Sequence, residues 1–150
     1  MVGVAKTWER ERNNDLLQLL EFDPMARVLD LGCGSGNFTS EIRKRVGCRE
    51  IYGLDIDIHK LREAATRGIS VICADLNQKL ALLSCQFDVC VANQVIEHVF
   101  FPIQLLSEIY RVLKVGGYAV VSTENLSSWD NLLAMSLGYT PVSMEFDAGL

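Results

Sequence analysis

Apolar residues in this chain fall into short unbroken runs that alternate with longer amphipathic stretches. Residues 7–20 carry Trp8, Leu16, Leu17, Leu19 and Leu20 among charges, which predicts an amphipathic helix with polar early turns, broken by Phe22-Asp23-Pro24. The run 27–31 is too brief for a helix and reads as a strand. It leads straight into Gly32-Cys33-Gly34-Ser35-Gly36, after which Phe38, Ile42 and Val46 space a helix that ends at Gly47. The cycle repeats with a strand at 50–55, a helix at 58–66 stopped by Gly68, and strands at 70–74 and 87–92. Ile103, Leu105, Leu106, Ile109, Val112 and Leu113 pattern a helix over 102–113, and Gly116-Gly117 is expected to turn the chain into a fifth strand at 118–123. Beyond it, a helix is expected over 126–137, ended by Gly138, with a turn at 139–141 and a short strand at 142–146.

Strands alternating with helices predict an α/β fold: a doubly wound, mainly parallel sheet with helices on both faces. The near-continuous apolar character of the runs agrees with strands buried on both sides. One domain is expected over 1–150, with an amino-terminal helix in 1–25, a core in 26–123 and a further segment in 124–150.

Composition narrows the function. Apolar residues make up 49% and charged residues 22%, an ordinary globular balance. No stretch reaches the roughly 18–20 apolar residues that span a bilayer. The opening residues run early into the charges at 9–12, so no signal peptide is expected and the chain reads as cytoplasmic and soluble. Fourteen basic against 19 acidic residues, a formal charge of −5, disfavour nucleic acid as a partner. Five cysteines without a Cys-x-x-Cys pair argue for reduced, mostly buried thiols and against a zinc site.

In such sheets ligands bind beyond the carboxyl ends of the strands. Glycines at 32, 34 and 36 allow a sharp turn and close approach of a ligand. The free N–H groups of the next helix favour a negative group there, a phosphate or a carboxylate. The spacing departs from the dinucleotide fingerprint, because Asn37 stands where its third glycine belongs, and no Walker lysine follows. Asp55, nineteen residues beyond Gly36, is placed to accept from both hydroxyls of a ribose, in a nicotinamide cofactor or any adenosine. Asp75 after the third strand is a candidate acceptor for an adenine amine, with Leu76 against the ring; a turn residue is the alternative. Asn93 and Gln94 close the fourth strand on the same crevice.

The segment Val28-Leu29-Asp30-Leu31-Gly32-Cys33-Gly34-Ser35-Gly36 resembles the glycine motif of class I S-adenosylmethionine-dependent methyltransferases. Tyr52-Gly53-Leu54-Asp55-Ile56-Asp57, Cys73-Ala74-Asp75-Leu76, Phe87-Asp88-Val89-Cys90-Val91-Ala92-Asn93 and Leu113-Lys114-Val115-Gly116-Gly117-Tyr118 are similar to the later motifs, in order, and the set resembles the type-11 methyltransferase group over 26–123. The resemblance implies a Rossmann-like fold and S-adenosylmethionine as cofactor, leaving S-adenosylhomocysteine as product. It implies that Gly32, Cys33, Gly34 and Gly36 form the methionine side, with Asp30 ordering the loop. It further implies that Asp55 holds the ribose, that Ile56, Asp75 and Leu76 contact the adenine, and that the Asn93 carbonyl, beside Gln94, receives the ammonium.

Methyl transfer to a small-molecule or biosynthetic-intermediate acceptor follows from the resemblance. His98 is the candidate base for a protonated acceptor, the alternative being a histidine that caps or packs the next helix. Some relatives bind a divalent metal through Glu-x-x-Glu-His; Gln94 replaces the first Glu here, so no metal is expected. Trp8, Phe100, Phe101, Trp129 and Tyr139 are candidates either for an apolar acceptor pocket or for the core. Relatives add an antiparallel hairpin beyond the fifth strand, which residues 124–150 are expected to lack or leave incomplete. An uncovered fifth strand, or the helix at 126–137, is then the expected surface for a homodimer. Competing readings are a non-catalytic or truncated S-adenosylmethionine-binding module that needs a partner chain and a nicotinamide-dependent oxidoreductase.

Overall fold

The structure, a computed structural model, describes residues 2–123, with side chains from residue 10 onward. Helix α1 (Val2–Gln18) begins earlier than the apolar spacing suggests, because the charged residues at 9–12 are good helix formers and carry it through. There follow β1 (Arg27–Leu31), α2 (Asn37–Val46), β2 (Glu50–Asp55), α3 (Ile58–Thr66), β3 (Ser70–Cys73), β4 (Phe87–Asn93), a 3-10 turn at Ile96–His98, α4 (Pro102–Val112) and β5 (Leu113–Ser122). The expected helix at 126–137 and strand at 142–146 lie outside the described residues.

All five strands pair in parallel in the order β3-β2-β1-β4-β5, which is the expected doubly wound sheet. Alternate residues of β1 feed two cores. Val28 joins Leu16, Leu20, Ile42 and Val46 under α1 and α2, while Leu29 and Leu31 join Leu105, Ile109 and Val112 under α4. The order reverses between β1 and β4, so the crevice for a ligand opens beyond their carboxyl ends.

Two details differ from expectation. The fifth strand starts at Leu113, directly from α4, and Gly116-Gly117 form a bulge inside it rather than a turn before it. Gly116 is left-handed, and a Cβ on Gly117 would sit 2.8 Å from the Asp88 carbonyl oxygen, so the bulge needs both glycines. Between β3 and β4 the chain runs without a helix. Arg111 donates to the carbonyls of Leu80 and Leu82, and Glu108 accepts from the Leu80 N–H, satisfying a backbone that no ladder covers. Three cysteines are buried, whereas Cys73 and Cys85 are exposed, and all five are free thiols.

Candidate active site

The glycine loop hangs from the end of β2. The N–H groups of Gly32 and Cys33 donate to the Leu54 carbonyl at 2.7 and 3.0 Å, and the Gly34 N–H donates to Asp55 Oδ2 at 2.8 Å. Asp55 Oδ1 accepts from the Asp57 N–H at 2.9 Å. Each oxygen keeps a further lone pair for a ligand.

The three glycines serve different ends. A Cβ on Gly32 would meet Val95 at 2.6 Å, and one on Gly36 would meet Ile69 at 2.5 Å, so these two are required by packing as well as by positive φ. Gly34 has nothing within 4 Å of a built Cβ, and so it is the point where the loop offers bare backbone to the outside. The Cys33 side chain is buried behind Gly53, and burial, with the charges of Asp30 and Asp55, pushes its thiol up to about 12.

Asp30 is buried under the loop and accepts from the Thr39 hydroxyl at 2.5 Å, a tie between β1 and α2. Burial pushes its carboxyl up to about 7; the Thr39 bond opposes this and the Asp55 charge adds to it. The native state thus binds this proton more tightly than the unfolded chain, whose pKa is near 3.8, so Asp30 makes stability fall as pH rises from 3.8 to about 7. Asp30→Asn, which still accepts from Thr39, is expected to flatten that slope and raise the thermal midpoint by several degrees at pH 8, read from unfolding curves between pH 4 and 8.

On the other side of the crevice, Asp75 Oδ1 accepts from the N–H and Nδ2 of Asn77 at 2.8 and 3.1 Å, which leaves Oδ2 without a hydrogen-bond partner among the described residues. Leu76 packs partly against the core beneath α4, and Ile56 is exposed. Asn93 donates through Nδ2 to Asn13 of α1 at 3.0 Å and accepts from the Ser122 hydroxyl at 2.6 Å. Gln94 adopts a left-handed backbone, φ 56°, with its N–H donating to the Ser122 carbonyl at 3.1 Å and to its hydroxyl at 3.2 Å. The ends of β4, β5 and α1 are thereby laced together.

Nε of Arg12, one residue before Asn13, and Oε1 of Gln94, one residue after Asn93, are buried without a hydrogen-bond partner among the described residues. Arg12, Asn13, Thr39, Asn77 and Ser122 escape sequence reasoning. The one available signal is that Arg12 and Asn13 precede Leu16 by four and three residues, which puts them on the face that α1 buries.

His98 is exposed, its side chain makes no hydrogen bond among the described residues, and the cap position of α4 is Phe101, with no side-chain cap bond. Phe100 and Phe101 are exposed, while Trp129 and Tyr139 lie outside the described residues. No group of three His, Cys, Asp or Glu side chains gathers to hold a metal among the described residues, and no helix among them is long and apolar enough to cross a membrane. A hollow of about 460 Å³ beside the loop is lined by Gly34, Ser35, Asn37, Lys60 and Glu63. It faces α3 and omits Asp55, Asp75 and Asn93, so it is a flank of the crevice and not its floor.

Residues 29–121 match the family described as "Methyltransferase domain", and the chain belongs to that family. It is 35% identical over 124 residues to the bifunctional methionine biosynthesis protein MetXA/MetW of Rhodopirellula baltica, an alignment that covers 77% of this chain and 19% of that protein. It is 33% identical to a malonyl-[acyl-carrier protein] O-methyltransferase of Marinomonas sp., over 72% of this chain and 42% of that enzyme. The chain thus spans less than half the length of either relative. Among solved structures, an S-adenosylmethionine-dependent methyltransferase of Mesorhizobium loti superposes with a TM-score of 0.68 at 29% identity, over 75% of this chain and 53% of that one.

Proposed function

We propose that this chain binds S-adenosylmethionine in the crevice beyond β1 and β4 and transfers its methyl group to a small-molecule acceptor. The observation that carries the reading is a pair of buried polar atoms without partners among the described residues: the Arg12 Nε–H wants an acceptor and Gln94 Oε1 wants a donor. Leaving either bare costs about 1–3 kcal/mol. An amino-acid zwitterion offers a carboxylate to the first and an ammonium to the second. Gly34 leaves the way in clear, Asp55 accepts from a ribose diol, and Asp75 Oδ2 is free to accept from an adenine amine.

When bound, S-adenosylmethionine supplies an electrophilic methyl on a sulfonium. The chain's own residues then align the acceptor and exclude water. His98 takes the proton of a hydroxyl acceptor at an imidazole nitrogen as the new bond forms. A second reading, a cofactor-binding module completed by another chain, is favoured by the outer edge of β5, which no strand covers among the described residues. The same free edge remains our proposed surface for pairing with a second copy.

Calorimetry with S-adenosylhomocysteine and with NAD tests the cofactor, and methyl transfer to a panel of carboxylate, hydroxyl and amine acceptors tests turnover. The expected result is heat with S-adenosylhomocysteine alone and transfer to at least one acceptor. Heat with NAD alone overturns the reading, and binding without transfer favours the second one. His98→Asn is expected to lower kcat for a hydroxyl acceptor about 100-fold while leaving S-adenosylhomocysteine affinity intact, read from steady-state kinetics and calorimetry.

A further inference from the structure

Asn77 bridges Asp75, two residues before it, and Phe100, 23 residues after it. On one side its N–H and Nδ2 donate to Asp75 Oδ1 at 2.8 and 3.1 Å. On the other its Oδ1 accepts from the Phe100 N–H at 2.6 Å. Its amide is therefore used at both ends, and its orientation follows from its partners, since a carboxylate needs the NH₂ and a backbone N–H needs the oxygen.

Phe100 closes the segment that leaves β4 and carries His98 through the 3-10 turn Ile96–His98. Beyond Val95, which is buried in the core, that segment has few other fastenings. Its start is held by Gln94 on Ser122, His98 N–H donates locally to the Val95 carbonyl, and the side chains of Phe100 and Phe101 are 84% and 58% exposed. Val99 packs partly on the core. The polar anchor at its far end, among the described residues, is Asn77.

We infer that Asn77 is a positioning residue that couples occupancy of Asp75 by the adenine to the placement of the His98 segment. The inference rests on the functional reading above, because Asp75 Oδ2 is taken as the adenine acceptor. An amine on Oδ2 fixes the carboxylate's rotation, the carboxylate fixes the Asn77 amide, and the amide fixes the Phe100 backbone. Cofactor binding thereby orders the acceptor side without a contact between the two ligands, by a contiguous hydrogen-bond path.

Amide hydrogen exchange at Phe100, with and without S-adenosylhomocysteine, reads this directly. The wild-type chain is expected to slow at Phe100 about tenfold on binding, within the usual range of coupling between sites. Asn77→Ala is expected to lose that slowing while still releasing heat with S-adenosylhomocysteine, and to raise acceptor KM more than it lowers kcat. Asn77→Asp keeps an oxygen for the Phe100 N–H but sets a carboxylate against Asp75. It is expected to keep the basal protection of Phe100, lose the ligand-induced slowing and bind S-adenosylhomocysteine less tightly, and it carries the test where the alanine variant fails to fold. Undiminished slowing in either variant overturns the inference alone. Absence of heat in the wild-type chain overturns the functional reading and this inference with it.

Discussion

Asp55→Ala is expected to weaken S-adenosylhomocysteine binding about 100-fold, measured by calorimetry. The size follows from what the carboxylate does. Hydrogen bonds to a charged group are worth about 1.5–3 kcal/mol each, and a factor of ten in affinity is about 1.4 kcal/mol. Losing two bonds to a ribose diol therefore removes about two orders of magnitude. The substitution also frees the Gly34 N–H, which Asp55 Oδ2 holds at 2.8 Å, so the loop loses its tie to the end of β2 together with the ligand contact. Asp55→Asn separates the two roles. It can still accept from one backbone donor but presents NH₂ where an acceptor is needed, and its expected loss is about tenfold. An alanine variant that binds as tightly as the wild type would remove the basis for placing the nucleoside here.

Gly36→Ala is expected to cost about 2–5 kcal/mol of stability, from denaturant unfolding, whereas Gly34→Ala costs about 1 kcal/mol and acts mainly on binding. Gly36 opens α2 in a left-handed conformation, φ 79°, with Ala64 Cβ 3.0 Å and Ala64 Cα 3.1 Å from the position a Cβ would take. The backbone of α3 cannot yield as a side-chain tip can, so strain and overpacking add. Gly34, at φ 52°, has open space beside it, so its methyl group meets no protein atom and projects instead towards an incoming ligand. An expected tenfold loss of S-adenosylhomocysteine affinity in Gly34→Ala, at near-native stability, would mark the loop as the ligand's seat. Equal destabilisation by both substitutions would contradict this division of roles.

The strands and most helices were legible because burial on both faces leaves continuous apolar runs such as 27–31 and 87–92, and amphipathic burial leaves the spacing of 102–113. The bulge at Gly116-Gly117 was read as a turn, since a glycine pair has the same local meaning in both. Only the approach of the Asp88 carbonyl distinguishes them. Asp55, Asp75, Asn93 and Gln94 were legible as residues at or just beyond strand ends, because a parallel sheet sends every such end to one edge, whereas Asp30, inside β1, was legible only through the family resemblance. Their partners were not. Asn13 reaches Asn93 across 80 residues of sequence, and Ser122 reaches it across 29, so no local pattern announces either bond.

By itself, then, the amino-acid pattern determined the parallel sheet, the edge proposed here for a ligand and the glycine loop at that edge, because periodicity and left-handed turns are local properties of the chain. The tertiary structure alone decided that Gly34 faces outward while Gly32 and Gly36 are packed, that Cys33 turns inward, and that Arg12 and Gln94 hold buried polar atoms without a partner among the described residues. It also decided that Asn77 bridges two loops. Each of these depends on which distant backbone or side chain arrives alongside, and close packing sets that only once the whole sheet has assembled.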